Sequence, residues 1–316
     1  MSFALWTAGA CLATFAAAAG CASIVAWMAG RAAGDAGSGH AGRDAGRLLA
    51  LRVLPAVVAA ALALVVTLPA FLLFEPRDSG ETAGLTFSLL AIAGGFAIVQ
   101  GLARGMGAWW ASRRLRRSWT REGRPLELDG APVPAYRIRH SFPVVSIVGI
   151  LRPRLFVADQ VLERLSPAEL RAVLAHEAAH VRAADNLKRL LVRLCPALPW
   201  GAAVRGLEER WEQAAEEAAD AQAGAALDLA AALLKTARLA PAGARIEMPV
   251  ATFHKGGTLA RRVRRLTRAA ENGPSAPAPT RRLAWTAAAV LAAGIAVWAQ
   301  ALPFAHRVLE ALVHLP

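Results

Sequence analysis

The sequence predicts a mainly α integral membrane protein: four transmembrane helices, with one α+β domain inserted between the third and the fourth. Three observations carry this reading. The chain is 56% hydrophobic, above the roughly 45–50% usual in soluble domains. Its apolar residues gather into four blocks, at about 3–30, 48–74, 85–110 and 283–304, each near the ~20 residues that a bilayer span needs. Between the third and fourth blocks lies a charged stretch, 111–282, long enough for one domain. The expected organisation is therefore three transmembrane helices over 1–110, the domain and a flexible tether over 111–282, and a fourth helix with a short tail over 283–316.

The first block has no basic residue before Arg31, which follows it, so it reads as an uncleaved anchor and not as a signal peptide. Arg31, Arg43, Arg47 and Arg52 come after this block. The loop "EPRDSGET" between the second and third blocks has one Arg against three acids. After the third block comes "RRLRRSWTREGR", and "TRR" precedes the fourth. A Lys/Arg excess marks the cytoplasmic side. This orients both termini outward and the 111–282 domain toward the cytoplasm of a bacterial inner membrane. The net charge of +13 then follows from orientation and from anionic lipid, and no specific nucleic-acid binding is called for. No ionisable residue punctuates the centres of the blocks, Arg52 lying near one edge of its own, which argues against a transporter or channel. Cys11, Cys21 and Cys195 have no paired spacing, so neither a disulfide framework nor a thiolate metal site is expected.

Inside the domain, "YRIRHSFPVVSIVGILRPRLFVAD" (136–159) is rich in β-branched residues and broken by Gly149 and Pro153. It reads as two short strands joined by a turn around "LRPR". The period then becomes helical. Ser166 is a good N-cap, Pro167 suits the first helical position, and Glu169 completes a capping box. Leu170, Val173, Leu174 and Val181 mark the buried face of this helix. Next, "LKRLLVRLCPALPW" reads as a helix leaning on the membrane surface. One long helix follows from about Val204 to Leu239, then the basic helical patch "RRVRRLTR" and the tether "ENGPSAPAPT".

The helix starting at Ser166 carries "HEAAH". His176 and His180, at i and i+4, lie on one face with Cβ atoms about 5–6 Å apart, so two imidazoles can serve one metal ion. Glu177 sits about 100° further round, where it can take a proton from a metal-activated water as general base. Neutral imidazole suits one Zn2+, which in a catalytic site takes three protein ligands and keeps a position for water. The chain has seven histidines, and the other five stand alone. A third ligand must come from elsewhere, and one of the acids of "EQAAEEAADAQA" (212–223) is expected to supply it. Glu216 and Asp220 share a face one turn apart, whereas Glu217 points elsewhere; one acid can bind the metal while the other orients a ligating ring.

"LSPAELRAVLAHEAAHVRAADN", together with three membrane blocks before it and one after, resembles the core of the BlaR/MecR-type membrane metallopeptidases. That resemblance implies an α+β zincin-like metallopeptidase domain. In that family and the related HtpX-type proteases, the third ligand belongs to a downstream Glu-x-x-x-Asp motif, here Glu216 with Asp220. It also implies roles for Asp185, followed by Asn186, and for the similar "RPRLFVAD" segment. The last apolar block is followed by "AHRVLEALVHLP", without an S-x-x-K motif, so the resemblance implies the protease and not the antibiotic receptor. It further suggests that a protein or peptide substrate adds as a strand beside "VVSIV". Tyr136 reads as structural in preference to an oxyanion donor. The expected function is zinc-dependent endopeptidase action on a cytoplasmic or membrane-proximal protein, a regulator being one candidate, with the lipid bilayer as the other partner. An HtpX-like quality-control protease and a non-catalytic transducer are the alternatives, though a transducer has no use for Glu177. A homodimer is compatible with the sequence, and nothing in it selects an oligomeric state.

Overall fold

The structure is a computed structural model that describes residues 3–32, 41–75, 83–196, 201–239, 256–272 and 307. Its first part is a bundle of α1 (Phe3–Ala32), α2 (Ala41–Ala61), α3 (Leu68–Phe74) and α4 (Leu85–Glu122). A π-helical segment, Leu62–Thr67, joins α2 to α3 without interruption. Pro69 lacks the N–H that an α-helix requires, and the wider turn just before it absorbs that loss. Among the described residues, three stretches are long and apolar enough to cross a membrane: Phe3–Gly30, Asp44–Phe74 and Leu85–Glu122. The fourth block, 283–304, lies outside the described residues. Helix α1 packs against both α2 and α4. At the α1–α4 crossing, a Cβ on Gly94 would run into the Leu12 carbonyl, so glycine is what lets the backbones approach. Large side chains such as Leu64, Ile92 and Val99 point outward, as a lipid-facing surface requires.

Helix α4 does not stop near 110. It continues to Glu122 through the basic run, because Leu115 and Trp119, four residues apart, turn inward and pack on the core of the domain. Trp119 meets Phe156 edge-on at 5.3 Å between ring centroids. The boundary expected at 111 therefore falls within one rigid helix.

Among its described residues the domain holds four strands, three of them in the stretch where two were expected: β1 (Arg124–Leu126), β2 (Ala135–Ile138), β3 (Val145–Val148) and β4 (Arg154–Ala158). Their order is β1-β2-β4-β3, with β2 and β4 parallel and the other pairs antiparallel. The "HSFP" turn splits the first expected strand into β2 and β3, and β1 is too short and polar to carry a period-2 signal. Strand β3 lies at the sheet edge. Ala158 N–H donates to the Val144 carbonyl, so the backbones of Val145 and Ile147 face away from β4.

Helices α5 (Asp159–Arg164), α6 (Pro167–Arg182), α7 (Asp185–Leu194), α8 (Gly201–Ala223), α9 (Ala226–Leu239) and α10 (Gly256–Asn272) complete the described chain. The capping box of α6 is present: Glu169 N–H donates to Ser166 Oγ at 3.2 Å, and Ser166 N–H to Glu169 Oε2 at 2.7 Å. The long helix expected over 204–239 is divided, because Gly224 takes φ +74° and stops α8. Helix α9 returns against α6. Phe156, Val161, Val173, Leu229 and Leu233 belong to the shared core.

The bundle grips the domain through a buried ion pair. Arg52 of α2 is 5% exposed. Its Nε donates to Glu208 of α8 at 2.9 Å, and its Nη2 to the Val192 and Cys195 carbonyls at the end of α7, at 3.0 and 2.9 Å. Arg104 of α4 reaches the same carboxylate at 3.4 Å. Beside it, a Cβ on Gly101 would meet the Leu194 carbonyl. Helix α7 is thus locked against α4 and does not merely lean on the bilayer. Replacing Arg52 with Met leaves a buried carboxylate short of a partner and is expected to cost about 3–5 kcal/mol. The drop will appear in thermal unfolding of the detergent-solubilised protein, and Arg52→Met with Glu208→Leu will recover part of it.

Candidate metal centre

Three elements converge beside the edge strand. Helix α6 brings His176, Glu177 and His180; α8 brings Glu216 and Asp220; the start of α7 brings Asp185 and Asn186. The junction between α6 and α7 depends on Ala184, a non-glycine residue in the left-handed region at φ 53°, a conformation that costs about 1–2 kcal/mol. That turn points Asp185 back at the helix it follows.

His176 is 1% exposed and Glu177 5%. The two Nε2 atoms of His176 and His180 lie 3.2 Å apart. Glu216 Oε2 is 3.6 Å from Nε2 of His176, and Oε1 is 3.5 Å from Nε2 of His180. Ligand atoms placed about 2.0–2.2 Å from a tetrahedral ion are separated by about 3.3–3.6 Å. The two ring nitrogens are close to that spacing, Glu216 turns one oxygen toward each of them, and one ligand atom from each of the three residues lies within 4.8 Å of the others, so the group could hold a metal ion. Each ring is held by its other nitrogen: Asp220 Oδ1 is 3.0 Å from Nδ1 of His176, and Asp185 Oδ2 is 2.7 Å from Nδ1 of His180. Glu217, by contrast, pairs with Arg265 at 2.5 Å and accepts from Gln213 at 3.0 Å, away from the group.

The electrostatics favour a cation between these groups. Burial alone would lower the pKa of His176, but the Asp220 and Glu216 carboxylates outweigh it and raise it. Burial acts likewise on His180, where Asp185 and Glu216 push the value up to about 10. Glu216 is held well below the carboxylate range: burial opposes this, and both imidazoles overcome it. Asp185 is lowered by His180 in spite of burial. Glu177 moves the other way, since burial raises it more than the histidines lower it. The carboxylates that favour a proton on the rings equally favour a metal.

Two contributors, Arg262 and Arg189, escape a reading of the sequence, and Asn186, noted there only beside Asp185, gains a specific role. Arg262 of α10 is 6% exposed and grips Asp220 with two bonds, Nε to Oδ2 at 2.9 Å and Nη2 to Oδ1 at 2.6 Å. Its Nη1 lies 3.0 Å from Glu216 Oε2. The signal was available: Leu259, Arg262, Val263 and Leu266 form the inward stripe of that helix, and an arginine within an apolar stripe requires a buried partner. Asn186 donates through Nδ2 to the outward carbonyls of Ile147 and Gly149, at 3.1 and 2.9 Å. Arg189 lines the same cleft as the metal group. Tyr136 does not line it; its hydroxyl accepts from Arg154 at 3.0 Å and its ring stacks on Phe156.

Membrane-length helices joined to a His/His/Glu centre define the class of this protein, a membrane metallopeptidase. Residues 82–263, more than half of the chain, match the family model described as BlaR1 peptidase M56. The chain belongs to that family. No curated protein matches it.

Metal binding must displace protons from the rings. Affinity measured by chelator competition is therefore expected to rise with pH through the interval from 6.5, the ordinary histidine value, toward the value near 10 of His180, with proton release on binding. Asp185→Asn and Asp220→Asn each remove a carboxylate that holds a ring, and each should weaken metal binding about 10–100-fold in the same assay.

Proposed function

We propose that the chain is a zinc-dependent endopeptidase of the bacterial cytoplasmic membrane that hydrolyses peptide bonds of a cytoplasmic or membrane-proximal protein. The gathering of His176, His180 and Glu216, with one ligand atom from each within 4.8 Å of the others, carries this reading. The catalytic domain occupies 111–282, with three transmembrane helices before it and a fourth at 283–304 behind it. The basic runs that follow the first and third blocks support a cytoplasmic side for this domain and outward termini.

His176, His180 and Glu216 are the residues that would hold the zinc ion. When bound, the ion acts as a Lewis acid, lowering the pKa of water toward about 7 and polarising the scissile carbonyl. Asp220 and Asp185, each at a ring Nδ1, fix the tautomers that leave Nε2 for the metal. Glu177 takes a proton from the attacking water as the water oxygen bonds to the carbonyl carbon. It passes that proton to the amide nitrogen as the C–N bond breaks. Burial, which raises the pKa of Glu177, suits a group that must accept a proton as well as release it. The substrate backbone pairs with the outward-facing groups of β3, which asks little of its sequence. A regulatory protein is a fitting substrate for an enzyme so tied to the bilayer.

Glu177→Gln should keep one bound zinc and lose cleavage, whereas His180→Ala should lose both; persistent proteolysis in Glu177→Gln would defeat the mechanism. Glu216→Gln should lose metal where Glu217→Gln keeps it, as read by elemental analysis. Because cleavage requires ionised Glu177, kcat/KM should fall on acidification, with a limb above 4.5, the ordinary glutamate value, while zinc is still bound. Comparing the proteomes of cells carrying wild type and Glu177→Gln identifies the substrate.

A further inference from the structure

We propose that Arg189 is a catalytic residue, the electrophile that receives the negative charge developing on the scissile carbonyl oxygen; this rests on the peptidase reading above. The cleft between β3 and α6 carries acids at Glu177, Asp185 and Glu216, and among its described lining residues Arg189 is the one permanent cation. Its side chain is 19% exposed, accessible yet largely shielded from water, where a charge acts strongly.

The position of the guanidinium fits this role better than a simple ion pair. Nη2 lies 3.7 Å from Glu216 Oε1, beyond hydrogen-bond reach. Arg262 already serves the other oxygen of Glu216 at 3.0 Å, so Arg189 is not what fixes that carboxylate. On its opposite side, Nη1 donates to Asn186 Oδ1 at 3.3 Å, and Asn186 in turn holds the Ile147 and Gly149 carbonyls of the strand edge. The guanidinium is therefore tethered between the edge where a peptide would pair and the group that would hold the metal. A scissile carbonyl presented from that edge to the metal group comes past it.

The electron count is simple. As the water oxygen bonds to the carbonyl carbon and Glu177 takes the proton, the carbonyl π pair moves onto oxygen. That oxyanion is met by the Arg189 guanidinium, whose planar fork of donors needs no proton transfer of its own. The pair then re-forms the carbonyl as the C–N bond breaks and the nitrogen takes the proton from Glu177. Charge stabilisation of this kind is confined to the transition state, so it acts on kcat more than on KM.

The test uses the full-length protein in lipid nanodiscs. Fluorescently labelled casein reports cleavage, a phosphonamidate peptide reports tetrahedral-anion binding by calorimetry, and elemental analysis reports zinc. For Arg189→Met, kcat should fall about 10²–10³-fold, with KM within about threefold of wild type and zinc content unchanged. Phosphonamidate affinity should fall in step with kcat. Arg189→Lys keeps the charge without the planar fork and should recover on the order of tenfold. Loss of zinc in proportion to rate would overturn the proposal, since Arg189 would then serve Glu216; so would an unchanged kcat with unchanged phosphonamidate affinity. Glu177→Gln separates the two readings: an inactive, zinc-loaded Glu177→Gln sustains the peptidase reading whatever the Arg189 variants do. If casein resists wild type, the phosphonamidate comparison alone decides the role of Arg189.

Discussion

Everything in the candidate site depends on one buried contact, the meeting of the α6 imidazoles with the α8 carboxylates. Two rings and a carboxylate converge on a point from which bulk water is nearly excluded, and such convergence is stable only when each charge has a second partner. Asp220 backs His176, Asp185 backs His180, and Arg262 backs both Asp220 and Glu216. Removing any one leaves an uncompensated group in a place that cannot easily hydrate it. The site is thus a network whose members support one another, and its arginine from α10 is as much part of it as the residues of the H-E-x-x-H run.

The network explains the order of elements along the chain. Helix α6 must start sharply, and its capping box and Pro167 see to that. It must end with a reversal, which Ala184 provides at the cost of a left-handed backbone. Helix α8 must then present Glu216 and Asp220 on one face and stop, which Gly224 permits, so that α9 can return and cover α6. The sheet contributes no charge to the group; it contributes an edge, and Asn186 links that edge to the same turn.

Local signals in the sequence were strong where the chemistry is local. The capping box, the paired histidines and the Glu216/Asp220 face all rest on spacing within one helix, and periodicity reports such spacing directly. Membrane-length blocks were legible for the same reason, since length and composition suffice. Less visible were features that exist only between elements. Residue 111 looked like a boundary because composition changes there, yet Leu115 and Trp119 carry the helix on by packing against strands far along the chain. Strands β1, β2 and β3 are three or four residues each, too short for alternation to emerge. Arg262 was hidden among similar arginines, for its pairing with Asp220 spans forty-two positions. Arg52 looked like an edge interruption of a membrane block until Glu208 was found opposite it.

That last pair has a consequence for where the enzyme can exist. Glu208 stands two turns and a little more before Glu216 on the same helix, about 12 Å along its axis. The charge that anchors it belongs to a segment buried among apolar helices. A fragment clipped free of the bundle would carry Glu208 and the end of α7 stripped of their partner, close behind the centre itself. Release by proteolysis, so common a fate for domains on membrane stalks, would therefore damage what it liberates. The centre is thus tied to the apolar bundle that carries Arg52, and the two hold their geometry together.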